Sequence, residues 1–535
     1  MTSMRPRAGV SSDPGPGRRS DRRAKVVAAA MAPLLLLAAC GGSSSPADGT
    51  AGSAARKGGN LTIANAMDIQ TLDKTQMFHN EDIWMSEQFF DTLYAADSAG
   101  KTLEPRLATS YTLSKDKLTW TFKLRKGVQF SDGKPMTAAD VAFSIDDARG
   151  KDSQWASLDT AIGSVEAKGS DTVVIKTKYP WAPLLSDLAL FGNGIAPKDW
   201  GGKTRKQFWT HPIGTGPFAF QSWKKGQSVT AVRNPHYWVK GRPYLDSVTW
   251  TVVPDANTRV LQVQGGQADV GAFPPYSAIK GLKNNPNVKV GEYPSSRTDY
   301  LVFNVRRKPF DDPKVRRAIS YALDRQSMVK AVLFGHGTPA NALLTPALWA
   351  HDSSLKGDEF SMSKAKALLA QTAVADGFAT TLTVDPGNAD QVTLAQLIQD
   401  ELQPLGVDVT VKKDSNATTD TETFNYDMGF SYDTTDITDP DELVAFSASG
   451  VGGYHALFTG YDNKDVNRLA KQAAHEFSQA ERQRLYGKLQ SIVEQEAPLV
   501  PLYYSPLVYV QSRKVSGFQA SPIGYYPLRD VSVGK

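Results

Sequence analysis

Cys40 is the only cysteine in this chain of 535 residues, and it limits what can hold the fold together. A single thiol cannot form a disulfide within the chain, so the fold must be stabilised by its own buried core. A chain of this length can bury a large core and divide into two to four domains. Any metal site in the body would have to use His, Asp and Glu side chains. We therefore predict a multidomain globular body without disulfides.

The segment before Cys40 has the composition of a secretory signal. Its basic residues end at Lys25, and the stretch VVAAAMAPLLLLAA (residues 26–39) carries no charge. This stretch is too short to span a bilayer, which needs about 20 apolar residues. It matches the apolar region of a signal peptide with small residues at its end. We predict a signal peptide over residues 1–39. Arg22-Arg23 leaves twin-arginine export open beside the general secretory route.

Cys40 itself completes a short motif, because Leu37-Ala38-Ala39-Cys40 resembles a bacterial lipobox. The resemblance implies cleavage before Cys40 and attachment of a diacylglycerol to its sulfur. Burial of each CH₂ group of the acyl chains in the bilayer is favourable by about 0.8 kcal/mol, so the chains would hold the protein at a membrane. Residues 40–57 are rich in Gly, Ser and Ala, which is typical of a flexible tether. We therefore expect an extracytoplasmic lipoprotein anchored to the cell membrane, in the periplasmic-equivalent space.

The net charge of +5 lies entirely in the leader. Residues 1–39 contain seven Arg or Lys against two Asp, so residues 40–535 contain equal numbers of basic and acidic side chains. Binding to nucleic acid requires a positive field around the protein. We therefore expect no nucleic-acid partner for the body.

Local patterns in the body predict both strands and helices. Trp120, Phe122 and Leu124 alternate with polar residues, which predicts a half-buried strand. Thr137 and Asp140 have the spacing of an N-cap that opens a helix. Helical periodicity recurs further along the chain, over residues 312–333, 361–373, 391–406 and 465–498. This mixture indicates an α/β architecture with more than one sheet.

Catalytic motifs are incomplete in this sequence. Gly202-Lys203-Thr204 resembles the end of a P-loop, but Pro197 occupies the position of the required first glycine. The sequence contains neither an H-E-x-x-H pair nor a G-x-S-x-G elbow. We therefore predict that the chain is not an enzyme and has no cofactor.

Six segments, in order along the body, resemble the family 5 extracellular solute-binding proteins of ABC importers, whose members take peptides, nickel, haem or opines. The segments are LEPRLATSYTLSKDKLTWTFKLRKGVQFSDGKPMTAADVAFS (103–144), PIGTGPFAF (212–220), RNPHYWVKGRPYLDSVTW (233–250), RVLQVQGGQADV (259–270), LVFNVRRKPFDDPKVRRAISYALDR (301–325) and EAPLVPLYY (496–504). The resemblance implies a monomeric protein that captures a peptide outside the cell and delivers it to ABC permease subunits by hinged closure of two lobes.

The same resemblance implies an α/β fold of the periplasmic-binding-protein type, two-lobed (type II, cluster C), with an extra third domain. The chain is expected to cross between the lobes more than once. The expected division is lobe I from residues 58–97, 212–300 and 500–535, the extra domain from 98–211, and lobe II from 301–499.

The segment GFSYDTTDITDPDELVAF (429–446) is similar to the family's W-x-x-D-x-x-D-P segment, which lies in the cleft. Matching back from Asp439-Pro440 makes Asp436 the expected ligand carboxylate, with Asp433 as the second choice. Such a carboxylate would bind the ammonium group of a peptide. A solvated acidic loop is the alternative interpretation.

Other residues are expected to complete the cleft. Phe430 and Tyr432 stand near the family's Trp positions, and with Tyr300 they would form aromatic walls. The alternative for these aromatic residues is a place in the core. A helix predicted to start near Asn80 would place Asn80, His79 and Glu81 in the cleft from lobe I. A hydrogen-bonded surface position is the alternative for His79.

Other functions remain compatible with the sequence. The same fold could bind a nickel chelate, haem or an oligosaccharide in place of a peptide. From a different class, a surface hydrolase or a chemosensory partner is the less favoured hypothesis.

Overall fold

The computed structural model describes residues 57–450 and 455–534. The predicted signal peptide (1–39), the predicted lipidation site Cys40 and the predicted tether up to residue 56 lie outside the described residues. Within the described ranges, every helix is too short or too polar to cross a bilayer.

The strands and helices alternate along the chain. In chain order the strands are β1 (Asn60–Asn65), β2 (Tyr94–Ala96), β3 (Leu103–Pro105), β4 (Ala108–Leu113), β5 (Thr119–Leu124), β6 (Ile162–Lys168), β7 (Thr172–Thr177), β8 (Phe218–Lys224), β9 (Ser228–Arg233), β10 (Ser247–Val252), β11 (Val270–Ala272), β12 (Val288–Tyr293), β13 (Thr298–Phe303), β14 (Thr338–Pro339), β15 (Phe378–Val384), β16 (Val407–Lys413), β17 (Met428–Asp433), β18 (Leu499–Tyr504), β19 (Leu507–Ser512), β20 (Val515–Ser516) and β21 (Ser532–Val533). The helices are α1 (Asn80–Ser86), α2 (Ala138–Ala148), α3 (Leu184–Asp187), α4 (Arg205–Phe208), α5 (Ala256–Gln264), α6 (Ile279–Lys283), α7 (Pro313–Ala322), α8 (Arg325–Val332), α9 (Met362–Leu369), α10 (Ala389–Leu402), α11 (Ala417–Glu422), α12 (Asp441–Ser447), α13 (His455–Phe458), α14 (Lys464–His475) and α15 (Gln479–Glu496).

Two mixed sheets form the centres of two lobes. The first sheet has the order β12-β19-β11-β1-β10-β9-β8, and we call it with its helices lobe I. The second has the order β14-β18-β13-β17-β15-β16, and we call it with its helices lobe II. Parallel pairs such as β1 with β10 and β15 with β16 lie beside antiparallel pairs in both sheets. Each sheet therefore combines strands that are distant in sequence, which is typical of α/β folds.

The described chain passes between the two sheets at two places. Residues 294–297 connect β12 of lobe I to β13 of lobe II, and residues 505–506 connect β18 of lobe II back to β19 of lobe I. The strands β13 and β18 each span one of the lobe boundaries expected near residues 300 and 500. They pair with each other at the centre of the lobe II sheet. We call these two short crossings the hinge connections.

A third sheet, with the order β4-β5-β7-β6, packs with α2 around a separate hydrophobic core. In β5, Trp120, Phe122 and Leu124 are buried, which confirms the predicted half-buried strand. The predicted helix start is also confirmed, because the backbone N–H of Thr137 donates to the Asp140 carboxylate at 2.7 Å in front of α2. This domain contributes residues to the lobe boundary described below.

The helical pattern over residues 312–333 is divided into two helices in the structure. Leu323 has an extended backbone after α7, and Asp324 caps α8 by accepting hydrogen bonds from the backbone N–H groups of Gln326 and Ser327. The pattern over 465–498 is divided in the same way, with Ser478 as the cap of α15. In both cases a capping side chain satisfies N–H groups that a continuous helix would bond internally.

Candidate functional site

A cleft with a volume of about 490 Å³ opens between the two lobes. It has walls from lobe I, from both hinge connections and from lobe II. The lobe I wall is largely apolar, whereas the lobe II wall supplies acidic groups. The lining residues used below are Asn80, Trp84, Phe273, Pro274, Pro275, Tyr276, Ser296, Arg297, Asp299, Phe334, Asp390, Thr434 and Asp436. A cleft of this volume that combines apolar and aromatic side chains with convergent polar groups is the usual form of a small-molecule site.

The loop after β17 holds Asp436 at the cleft. Thr435 donates from its hydroxyl to Oε2 of Glu442 at 2.7 Å, and the Asp436 backbone N–H donates to the same oxygen at 2.9 Å. On the hinge side, the hydroxyl of Ser296 accepts from the Thr435 backbone N–H at 3.1 Å. These bonds fix the backbone of the loop, so that Asp436 lines both the main cleft and a smaller recess of about 30 Å³ behind it.

The recess behind Asp436 is acidic. Glu87, which follows α1 in lobe I, lines it, and its buried Oε2 has no hydrogen-bond partner among the described residues. Burial and then the nearby Asp433 raise the pKa of Asp436 to about 7. Burial and then Asp436 raise the pKa of Glu442 to about 8 and that of Glu87 well above its usual range. The recess therefore gathers carboxyl groups from both lobes beside the buried Arg106–Asp91 pair, and a bound cation would favour their ionised forms.

Asp433, the second choice for the ligand carboxylate, lies at the end of β17 and is 8% exposed. Its carboxylate accepts hydrogen bonds from the Ser447 hydroxyl and, at 2.9 Å, from the Thr434 backbone N–H. Burial raises its pKa well above the usual value. The protein already satisfies this carboxylate, whereas the Asp436 side chain faces open volume.

A second charged group lies where the hinge enters lobe II. Arg297 pairs with Asp299, with Nη2 2.6 Å from Oδ1, and its guanidinium lies 3.9 Å from the ring centre of Tyr432. Ser505, in the other hinge connection, donates from its hydroxyl to Asp299 at 2.9 Å. This network joins the two hinge connections to the lobe II wall of the cleft.

The predicted aromatic walls lie beside the main cleft. Phe430, Tyr432 and Tyr300 line a cavity of about 100 Å³ that shares Arg297 and Asp299 with the main cleft. Tyr432 is half exposed, but Tyr300 has no exposed area and donates from its hydroxyl to the Leu343 carbonyl at 3.0 Å. The structure therefore places Tyr432 at a surface and Tyr300 in the core of lobe II.

The three residues expected from lobe I separate at the start of α1. Asn80 begins the helix and lines the cleft, His79 precedes it and is exposed, and Glu81 is buried. Burial raises the pKa of Glu81. The sequence reasoning missed Trp84 and Glu87, one and two turns further on, although the same helical pattern contains both. It also missed Arg297 and the segment Phe273-Pro274-Pro275-Tyr276. The adjacent prolines and aromatic residues of this segment are the pattern that could have indicated a cleft wall.

The described residues contain no group of His, Cys, Asp and Glu arranged to hold a metal ion. The carboxyl groups around Asp436 are bound to hydroxyls and backbone N–H groups, or face the recess. The arrangement can bind an organic cation between Asp436 and Glu87.

Comparisons with known proteins agree with this geometry. The family model of the bacterial extracellular solute-binding proteins, family 5 Middle, matches residues 102–454. The glutathione-binding protein GsiB of Escherichia coli O6:K15:H31 (strain 536 / UPEC) is 31% identical over 489 residues, which cover 89% of this chain and 94% of that protein.

Solved structures give the same result for the fold. The ABC transporter-associated periplasmic binding protein DppA from Helicobacter pylori, in complex with the peptide STSA, is 28% identical with a TM-score of 0.79, over 90% of this chain and 99% of that one. The oligopeptide-binding protein AppA from Bacillus subtilis, in complex with a nonapeptide, is 26% identical with a TM-score of 0.76, over 90% and 100% of the two chains.

These findings confirm the expected α/β fold of the two-lobed periplasmic-binding-protein type with a third domain. They also confirm that the chain is not an enzyme, because its homologues are solute-binding proteins of ABC importers. The matched residues include the Asp436 loop and most of both lobes. The chain belongs to the bacterial extracellular solute-binding proteins of family 5.

Proposed function

We propose that this chain is a lipid-anchored receptor that captures peptides outside the cell and delivers them, as a monomer, to the permease subunits of an ABC importer. The observation that carries the proposal is Asp436. Its carboxyl group lines the cleft between the lobes, and no salt bridge from the described part of the chain reaches it. A free peptide ammonium is the cation whose size and charge suit this position.

The ammonium group would bind Asp436 in a partly dry place, where opposite charges attract more strongly than in water. Glu87 lies on the other side of the recess and belongs to lobe I, whereas Asp436 belongs to lobe II. A cation between them would therefore contact both lobes at once. Such a ligand stabilises the closed arrangement through contacts that an open arrangement lacks.

Lobe II contacts the third domain beside this site. The hydroxyls of Thr438 in the Asp436 loop and Ser186 in the third domain lie 2.8 Å apart, and both are buried. The backbone N–H of Ala182 donates to the carbonyl of Ala474 at 2.8 Å, which joins the third domain to α14 of lobe II. If these contacts form only when the lobes close, ligand binding changes the surface that the protein presents to the permease.

The relatives support a peptide as the solute. One is named for glutathione, itself a short peptide with a free ammonium group, and two structures hold peptides of different length. A nickel chelate, haem or an oligosaccharide is less suited to a recess of about 30 Å³ that holds the carboxyl groups of Glu87 and Asp436. The ligand class proposed here is thus a peptide with a free amino terminus.

A thermal-shift screen of the full chain tests this proposal. We expect pools of dipeptides to pentapeptides to raise the melting temperature, because a ligand at 100 times its Kd adds about 2.7 kcal/mol to the free energy of unfolding. Glutathione, nickel–histidine, haem and maltooligosaccharides serve as comparison ligands. A shift with an oligosaccharide or a chelate, and none with any peptide pool, would contradict the proposal.

Lipid anchoring is tested separately at Cys40. A Cys40→Ser variant should be released into the medium or remain as an uncleaved precursor, because serine provides no thiolate for lipid attachment. Fractionation followed by mass spectrometry of the amino terminus distinguishes these states. A processed Cys40→Ser protein that stays in the membrane would overturn the lipoprotein assignment.

A further inference from the structure

Phe334 has an aromatic side chain that is exposed to solvent in the cleft. It follows α8, lines the cleft from lobe II and is 57% exposed. Its backbone is left-handed, with φ of 50°, which is unusual for a bulky residue. Unfavourable backbone conformations of this kind persist where the surrounding structure enforces them, and they cluster at ligand-binding positions.

The turn that carries Phe334 is held from both lobes. Within lobe II, the backbone N–H of Gly335 donates to the Val329 carbonyl at 3.2 Å. The next residue, His336, places Nδ1 2.9 Å from Oε2 of Glu292, which belongs to β12 of lobe I. The His336 ring also stacks on Tyr276 of lobe I, with ring centres 6.5 Å apart. The exposed Phe334 ring is therefore attached to a fixed backbone, so a ligand that contacts it orders little else.

The segment that faces this turn has the same character. Tyr276 follows Phe273-Pro274-Pro275, and all of these residues line the cleft from lobe I. Phe273 also has a left-handed backbone, with φ of 49°. Its ring centre lies 6.0 Å from that of Trp84, which lines the cleft as well. The stacking of Tyr276 on His336 places the two segments side by side, so apolar groups of both lobes bound one part of the cleft.

We infer that this part of the cleft, between Phe334 and the Phe273–Tyr276 segment, is a subsite for a large apolar side chain of the bound peptide. The inference rests on the proposed function, since it names the class of peptide that the Asp436 site accepts. An apolar side chain placed here is removed from water by aromatic and proline surfaces of both lobes. Glutathione has no side chain of this kind, so the subsite favours apolar peptides over glutathione.

Calorimetric titration of the full chain with a tripeptide series tests the subsite. The series starts from Ala-Ala-Ala and places Phe, Leu or Gln at each position in turn. For at least one position, Phe and Leu should bind at least about tenfold more tightly than Gln or Ala, because burying a large apolar side chain strengthens binding by that order. Phe334→Ala should reduce this preference to less than about threefold.

Two further variants test whether the side-chain preference depends on Phe334 itself. Phe360→Ala removes another exposed phenylalanine of lobe II, 54% exposed and outside the residues that line the cleft, and should preserve the preference. Phe334→Leu should restore most of it. Tight binding of all tripeptides without regard to side chain, or a preference that Phe334→Ala leaves intact, would overturn the subsite alone. Failure of every tripeptide to bind would overturn the proposed function and the subsite with it.

Discussion

Asp439 and Asp436 lie three residues apart in one acidic loop, yet the protein treats them in opposite ways. Asp439 is buried, and Arg482 of α15 donates to both of its oxygens at 2.6 and 2.7 Å. Arg482 also donates to the Ala473 carbonyl at 2.9 Å, which ties α15 to the end of α14. Asp436 faces the cleft, and its charged neighbours are other carboxyl groups. The first residue holds lobe II together, whereas the second is left for a ligand.

The difference shows that local composition does not separate a structural carboxylate from a binding one. Both residues follow a strand and precede a helix in the same polar stretch. What separates them is whether the tertiary structure supplies an internal cation. A carboxylate that pairs with a cation of the protein is not available to a ligand, and removing its cation destabilises the fold. An unpaired carboxylate at a cleft can bind a cation of the ligand instead. The following predictions test that distinction.

The largest expected effect is on stability, at the Asp439 pair. Arg482→Met should lower the free energy of unfolding by about 3–5 kcal/mol, because it leaves a buried carboxylate without its cation. Arg484→Met is the matched control on the same helix, since Arg484 pairs with Glu481 at the surface. Urea denaturation followed by circular dichroism measures both. An equal loss of unfolding free energy in the two variants would contradict the structural role of Asp439.

The next effect is on affinity, at Asp436. Asp436→Asn should raise the Kd of a free-amine peptide about 30-fold, since it removes a charge-assisted hydrogen bond worth about 2 kcal/mol. The Kd of the same peptide with an acetylated amino terminus should change little. Asp433→Asn should not weaken binding in this way, because the Asp433 carboxylate accepts hydrogen bonds from Ser447 and Thr434, and its removal takes away a group that raises the pKa of Asp436. Equal losses for free and acetylated peptides would refute the ammonium role.

A smaller effect is expected from pH. The pKa of Asp436 is about 7, raised by burial, and the ligand ammonium binds the ionised form. Affinity should therefore fall as the pH falls through 7, by about fivefold between pH 7 and pH 6, where the peptide amino group stays protonated. Titration calorimetry at both pH values measures the ratio. Asp436→Asn should remove this dependence, and a ratio that persists in the variant assigns it to another group.

The smallest effect is expected at Glu87, across the recess. Glu87→Gln should leave the midpoint of the binding profile nearly unchanged, because burial and Asp436 raise the pKa of Glu87 well above its usual range and keep Glu87 protonated while Asp436 ionises. Affinity at pH 8 should change little, because Asp436 is then ionised in both proteins. A midpoint that moves to lower pH by about one unit or more would show instead that Glu87 is ionised beside Asp436.

Much of the local structure could be predicted from the sequence because it depends on near neighbours. The alternation at Trp120, Phe122 and Leu124 fixes which face of β5 is buried, and the Thr137–Asp140 spacing fixes where α2 begins. The order of family motifs fixed the fold class, since those segments are spread over both lobes. The leader and the expected anchor at Cys40 also depend only on adjacent residues.

The site depended on contacts that no local pattern contains. Asp436 and Asp433 have similar surroundings in sequence, but Ser447 and Thr434 donate to the Asp433 carboxylate, whereas Asp436 lines the cleft. Glu87 lines the recess and Phe334 lines the cleft, from segments hundreds of residues apart. Tyr300 lies in the core although its sequence suits a cleft wall as well. Periodicity determines the face of an element on which a side chain lies. The packing of one element on another determines what that face meets, and therefore whether a charge or a ring is satisfied by the protein or left for a ligand.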